Sequence, residues 1–209
     1  MSHDNCACGA TTDDRIDSGG TFLGRQDEPL EAPLPNDVGT ALGRLFETGS
    51  VPTLGAWVRE VRRRTGGGAI AVEDLCHAAD ETPHWGEIDG TRHHFVCFYD
   101  AVVLAALRDR PVDIRTESPD GEPIELRAVG EDELNVSPEK AVFSFGVEKG
   151  AEPPADRDPR REDVYAAVCP YVKAFPDVQS YKRWAETVPA ATVAMPLSGA
   201  TEFASELVS

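Results

Sequence analysis

Residues 93–129 read HHFVCFYDAVVLAALRDRPVDIRTESPDGEPIELRAV. The middle of this stretch, FYDAVVLAALRD, is a strongly apolar helix of about three turns. PVDIRTES and EPIELRAV then alternate apolar and polar residues with the period of a strand. Pro119-Asp120-Gly121 between them is a turn, because proline presets φ and glycine accepts the left-handed region. A buried helix running into an antiparallel hairpin sets the class as α+β.

The same signals extend outward. Asn36 or Asp37 can cap a helix over NDVGTALGRLFETG, with Val38, Leu42, Leu45 and Phe46 on one face and Gly49 ending it. Pro52 and Thr53 open LGAWVREVRRRTGGG, where Leu54, Trp57, Val58 and Val61 recur at helical spacing and Gly66 to Gly68 break the pattern. AVEDLCHAAD reads as a third short helix, and Asp89-Gly90 as a hairpin turn. Three helices and a hairpin predict a small winged-helix-like unit over 36–90. Toward the C-terminus, KAVFSFGVEK and AATVAMP are strands. EDVYAAVCPYVKAF, DVQSYKRWAETV and SGATEFASELVS are helices, the first distorted or ended by Pro170. The expected layout is a flexible acidic tail at 1–35, the winged-helix-like unit at 36–90, and a domain at 91–209 with a mainly antiparallel sheet packed with helices.

Composition narrows the function. The net charge is −17 over 209 residues, a field that repels nucleic acid. No run approaches the about 20 apolar residues of a membrane helix, and MSHDNCACGATTDD is too acidic for a secretory signal. The expected location is cytoplasmic, with neither nucleic acid nor membrane as partner. Only four of the 20 basic residues are lysine. With abundant Asp and Glu, that balance points to a halophilic source, where salt screens self-repulsion. The five cysteines, Cys6, Cys8, Cys76, Cys97 and Cys169, are odd in number and read as reduced thiols.

Cys97 and Asp100 stand at i and i+3, and on one helix they would share a face. A helix N-terminus favours thiolate at Cys97. A carboxyl beside that charge and an apolar wall is pushed toward its neutral form. The alternative is a buried cysteine beside a capping aspartate. Cys169 lies on a separate apolar stretch. Two thiols meeting across a core would suit a large soft ion that prefers two near-collinear sulfurs; the alternative is again a buried small hydrophobe. Cys76 and His77 are neighbours on the expected third helix, diverge there, and make a poor chelate, so Cys76 reads as core. His93 and His94 face opposite sides of an extended strand and read as structural. Phe98 and Tyr99 pack, with one of them available to line a pocket. Phosphate-loop, nucleotide-fingerprint and zinc-protease patterns are lacking.

Taken in order, these segments resemble the organomercurial lyase (alkylmercury lyase) family. Cys97-Phe98-Tyr99-Asp100 opening AVVLAAL resembles that family's first catalytic segment, and DGEPIEL its following strand–turn–strand. VYAAVCPYVKAFPDVQSYKRWAE resembles its second catalytic segment, with Cys169 at the thiol position and Trp184 at the tryptophan position. Two departures stand out: Pro170 replaces a cysteine that often follows the second thiol, and Glu117 occupies the place of a structural cysteine. The resemblance implies protonolysis of a carbon–mercury bond by Cys97, Asp100 and Cys169, without an organic cofactor. Mercury would be substrate and product, bound by Cys97 and Cys169 beside Asp100, and passed to low-molecular-weight thiols or a mercuric reductase. Apart from the resemblance, Cys6-x-Cys8 reads as a flexible surface dithiol for relaying mercury to or from the pocket, the alternative being a tail whose thiols do nothing. A non-catalytic thiol-based sensor or carrier of a soft metal is the alternative.

Overall fold

A computed structural model describes residues 20–24, 28–64, 70–108, 110–129 and 133–208. Cys6, Cys8 and the triple glycine lie outside the described residues. Part of the segment read as a tail is anchored: Thr21–Phe22 form strand β1, which pairs in parallel with residues 193–194. Pro33 bridges to Thr53, and Ala32 and Leu34 are buried. A two-residue strand carries no periodicity, so nothing in the pattern announces it.

Helix α1 (Asn36–Leu45) buries Val38, Ala41, Leu42 and Leu45. It ends where Glu47 turns into the left-handed region at φ 53°, two residues before the glycine expected to stop it. Helix α2 (Leu54–Arg64) is capped by the Thr53 hydroxyl, which accepts from the Ala56 amide at 3.1 Å. It buries Leu54, Trp57, Val58 and Val61, the face its spacing predicts. The expected third helix is reduced to one 3₁₀ turn at Val72–Asp74. Residues 76–78 instead run extended beside 94–96: the Ala78 amide donates to the His94 carbonyl at 2.8 Å, and the Val96 amide to the Cys76 carbonyl at 2.9 Å. The Asp74 carboxylate closes the turn by accepting from the Ala71 amide at 3.0 Å, and it pairs with Arg161 at 2.7 Å.

Strands β2 (Trp85–Ile88) and β3 (Thr91–His94) are joined by Asp89-Gly90, both at positive φ as a two-residue hairpin requires. Helix α3 (Tyr99–Arg108) follows, then β4 (Pro111–Glu117), β5 (Pro123–Val129) and β6 (Glu133–Ser137). These make a five-stranded antiparallel sheet in the order β3-β2-β4-β5-β6. The 90/91 boundary therefore falls in a hairpin turn whose two strands share one sheet. Beyond it come β7 (Val142–Glu148), helix α4 (Arg161–Val168), β8 (Ala174–Phe175), helix α5 (Val178–Ala185), β9 (Ala190–Pro196) and helix α6 (Ala200–Val208). The second sheet runs β1-β9-β7-β8, antiparallel except at β1. The fold is α+β, with two mainly antiparallel sheets where one was expected.

α3 is the hinge of the core. It packs on α6 and on the first sheet, and the Tyr99 hydroxyl donates to the Ala200 carbonyl at 2.5 Å. Trp57, Phe145 and Phe203 stack beside it at ring separations of 5.2–6.2 Å. β7 holds the segment after α4. Ser144 donates through its hydroxyl to the Tyr171 carbonyl at 2.7 Å, and its amide donates to the Lys173 carbonyl at 2.8 Å. Gly146 permits this approach, because a Cβ there would lie 2.9 Å from Tyr171 Cβ and 2.8 Å from Thr192 Cγ2. Gly146→Ala is expected to cost about 1–3 kcal/mol as an overpacking strain. Urea unfolding measures it, and an unchanged midpoint would contradict the tight packing.

Candidate active site

Cys97, Asp100 and Cys169 line one cavity of ≈ 60 Å³. Its other walls are mainly apolar or aromatic, among them Trp57, Leu75, Val103, Phe145 and Tyr165. The structure thus brings Cys169, from a distant part of the chain, together with the neighbouring Cys97 and Asp100. Tyr99 lines the cavity too, whereas Phe98, His93 and His94 do not. His94 is bonded to Thr82, and His93 packs against Phe95 and His77. Trp184 stacks on Phe175 and Tyr181 in a separate cluster.

Cys97 sits two residues ahead of α3 rather than on it. Its Sγ lies 3.8 Å from the Val172 carbonyl, and the residue is only 4% exposed. The thiolate expected there is disfavoured: burial, reinforced by the Asp100 charge, pushes the thiol up to about 12, and the Tyr99 amide pulls weakly the other way. The helix end is present, but desolvation outweighs it.

Asp100 occupies the first turn of α3. Burial raises its carboxyl to about 6, against the opposing hydrogen bond that Oδ1 accepts from the Cys76 amide at 3.2 Å. The direction is the one expected, and its cause is the apolar wall. Between about pH 4 and 6 the native state then binds a proton that the unfolded chain has released, so this group's contribution to stability falls as pH rises. The change amounts to about 3 kcal/mol. His84, lowered by burial to about 4, works in the opposite direction over an overlapping window. The Asp100 effect is therefore read as a difference. Asp100→Asn should gain on the wild type by about 3 kcal/mol between pH 4 and pH 7 in denaturant unfolding; a constant difference would show that Asp100 titrates normally.

Cys169 is delivered by the end of α4, where Pro170 converts the helix into a 3₁₀ turn over Cys169–Tyr171. Its thiol is held up by a hydrogen bond to Cys76 and by burial, and Cys76 is correspondingly lowered as the partner that receives the bond. The pair gives up its first proton from the Cys76 side. Cys76 is therefore at the site, not a core filler. No spacing could show this, since it arrives by the extended pairing of 76–78 with 94–96. Among the described residues, no three His, Cys, Asp or Glu side chains are placed to hold a metal ion together. A soft ion that favours two sulfurs needs no such trio. No helix of the described residues is long and apolar enough to cross a membrane.

A family model described as MerB, alkylmercury lyase, matches residues 78–209. Among solved structures, the chain is similar to the "crystal structure of the mercury-bound form of MerB2". The two are 19% identical over 86% of this chain and 94% of that one, with a TM-score of 0.47. No curated protein matches it. The matched family model spans well over half of the sequence and includes Cys97, Asp100 and Cys169, and the chain belongs to the alkylmercury lyase family.

Proposed function

We propose that this protein cleaves carbon–mercury bonds by protonolysis, with Cys97 and Cys169 as sulfur donors and Asp100 as proton carrier. The observation that carries the reading is the convergence of those three side chains on one largely apolar cavity. An alkyl- or arylmercury cation binds one thiol and then the other. Each new Hg–S bond releases a thiol proton, because mercury bound to sulfur makes the thiol a strong acid. One proton leaves to solvent. The other passes through Asp100 to the carbon, which departs with the electron pair of the broken C–Hg bond. The products are a hydrocarbon and mercury(II) held between two sulfurs. Two sulfurs push electron density onto mercury, and the dry wall keeps water from competing for the developing carbanion.

Asp100 suits this role. A carboxyl at about 6 is neutral in about a tenth of molecules at pH 7, and it can also collect the proton released from Cys97. Mercury(II) would then pass to low-molecular-weight thiols or a mercuric reductase. The decisive assay is gas-phase detection of methane or benzene from purified protein given methyl- or phenylmercury and excess thiol in high salt. Hydrocarbon release supports the lyase reading. Mercury retention without hydrocarbon, under conditions that keep the protein folded, would leave a soft-metal carrier or sensor instead.

A further inference from the structure

The three cysteines are graded from the inside outward. Cys97 is buried within the cavity wall. Cys169 lines the same cavity but is only half-buried. Cys76 is half-buried and lies outside the cavity lining, yet its amide donates to Asp100 Oδ1 at 3.2 Å, and its thiol is near enough to Cys169 for each to shift the other's protonation. It also precedes the family-matched residues 78–209. The extended pairing of 76–78 with 94–96 fixes the loop carrying it, and the Arg161–Asp74 ion pair at 2.7 Å ties that loop to α4, the helix that presents Cys169.

The geometry points to Cys76 as the outer thiol through which mercury(II) leaves the site, an inference that rests on the lyase reading for its cargo. The product would bridge Cys97 and Cys169, and the Cys97 sulfur lies too deep for an outside thiol to reach directly. Cys76 neighbours Cys169 from outside the cavity lining. Its sulfur attacks mercury, the Hg–S bond to Cys76 forms, and the bond to Cys169 breaks. The Cys76 proton moves to the neighbouring Cys169 sulfur. Two solvent thiols then take the ion as a bis-thiolate, and their protons restore Cys76 and Cys97. No electron changes hands. Mercury keeps two sulfurs at each stop, which suits the ion and the absence, among the described residues, of a three-ligand cluster.

The test uses the full chain as wild type, Cys76→Ser and Cys76→Ala, each loaded with one equivalent of mercury(II). Excess glutathione strips the metal while the ultraviolet sulfur-to-mercury band is followed. Both variants should lose mercury about tenfold more slowly than the wild type, or slower still. Wild-type stripping rates in both would overturn the inference. So would a wild-type rate in Cys76→Ser with a slow one in Cys76→Ala, because serine keeps a hydrogen-bonding partner for Cys169 and binds mercury poorly. Benzene release from phenylmercury by the wild type is measured in parallel. If it is nil while the stripping difference persists, the lyase reading fails and the exit role of Cys76 stands.

Discussion

Asp100→Asn should reduce benzene release from phenylmercury by about 10²–10⁴-fold, the usual range for loss of a positioned proton donor. Mercury(II) binding should survive, because both sulfurs remain. The substitution is nearly isosteric and removes only the capacity to carry a proton. It also relieves the cost of burying a charge, so lost activity cannot be laid to unfolding. The wild-type pH profile follows from the same groups. In the protein loaded with phenylmercury, the transferable proton sits on Cys97 or on Asp100, and the two behave as one titrating pair. Asp100 alone titrates at about 6 and Cys97 at about 12. Single-turnover cleavage should therefore fall as pH rises, beginning only above pH 6. A rate that climbs with pH would remove Asp100 as donor.

Cys97→Ala should also abolish turnover, by on the order of a thousandfold or more, since the two sulfurs act as a unit. One thiol can still capture the organomercury cation, but a single donor leaves the carbon–mercury bond unactivated. The stability cost should stay small, about 1 kcal/mol, because a neutral buried thiol packs as a small hydrophobe. Mass spectrometry of the loaded variant should show intact phenylmercury on the protein. If mercury(II) without the phenyl group appears there instead, Cys97 is not needed for cleavage.

Much of this was legible before any coordinates. α1 and α2 bury the faces their periodicity marks, α3 forms where its apolar run predicts a helix, and the Asp89-Gly90 and Pro119-Asp120-Gly121 turns are where their chemistry puts them. The Cys97, Asp100 and Cys169 convergence was also expected, but from resemblance; spacing alone left each residue with a bland alternative. Three things were hidden, each for a tertiary reason. The 71–80 stretch has helical composition, yet its backbone finds partners in 94–96. β8 is two residues long, and β6 is mostly polar. The Cys97 thiol stays protonated because the surrounding fold buries it, and burial cannot be read from a residue's place ahead of a helix.

The Asp100 carboxylate is anchored by the main-chain amide at position 76, not by that residue's side chain. Any residue except proline can supply that amide. On the proposed roles, the thiol at 76 can therefore be exchanged for another ligand type, retuning how readily mercury(II) leaves, while Asp100 keeps its main-chain tether.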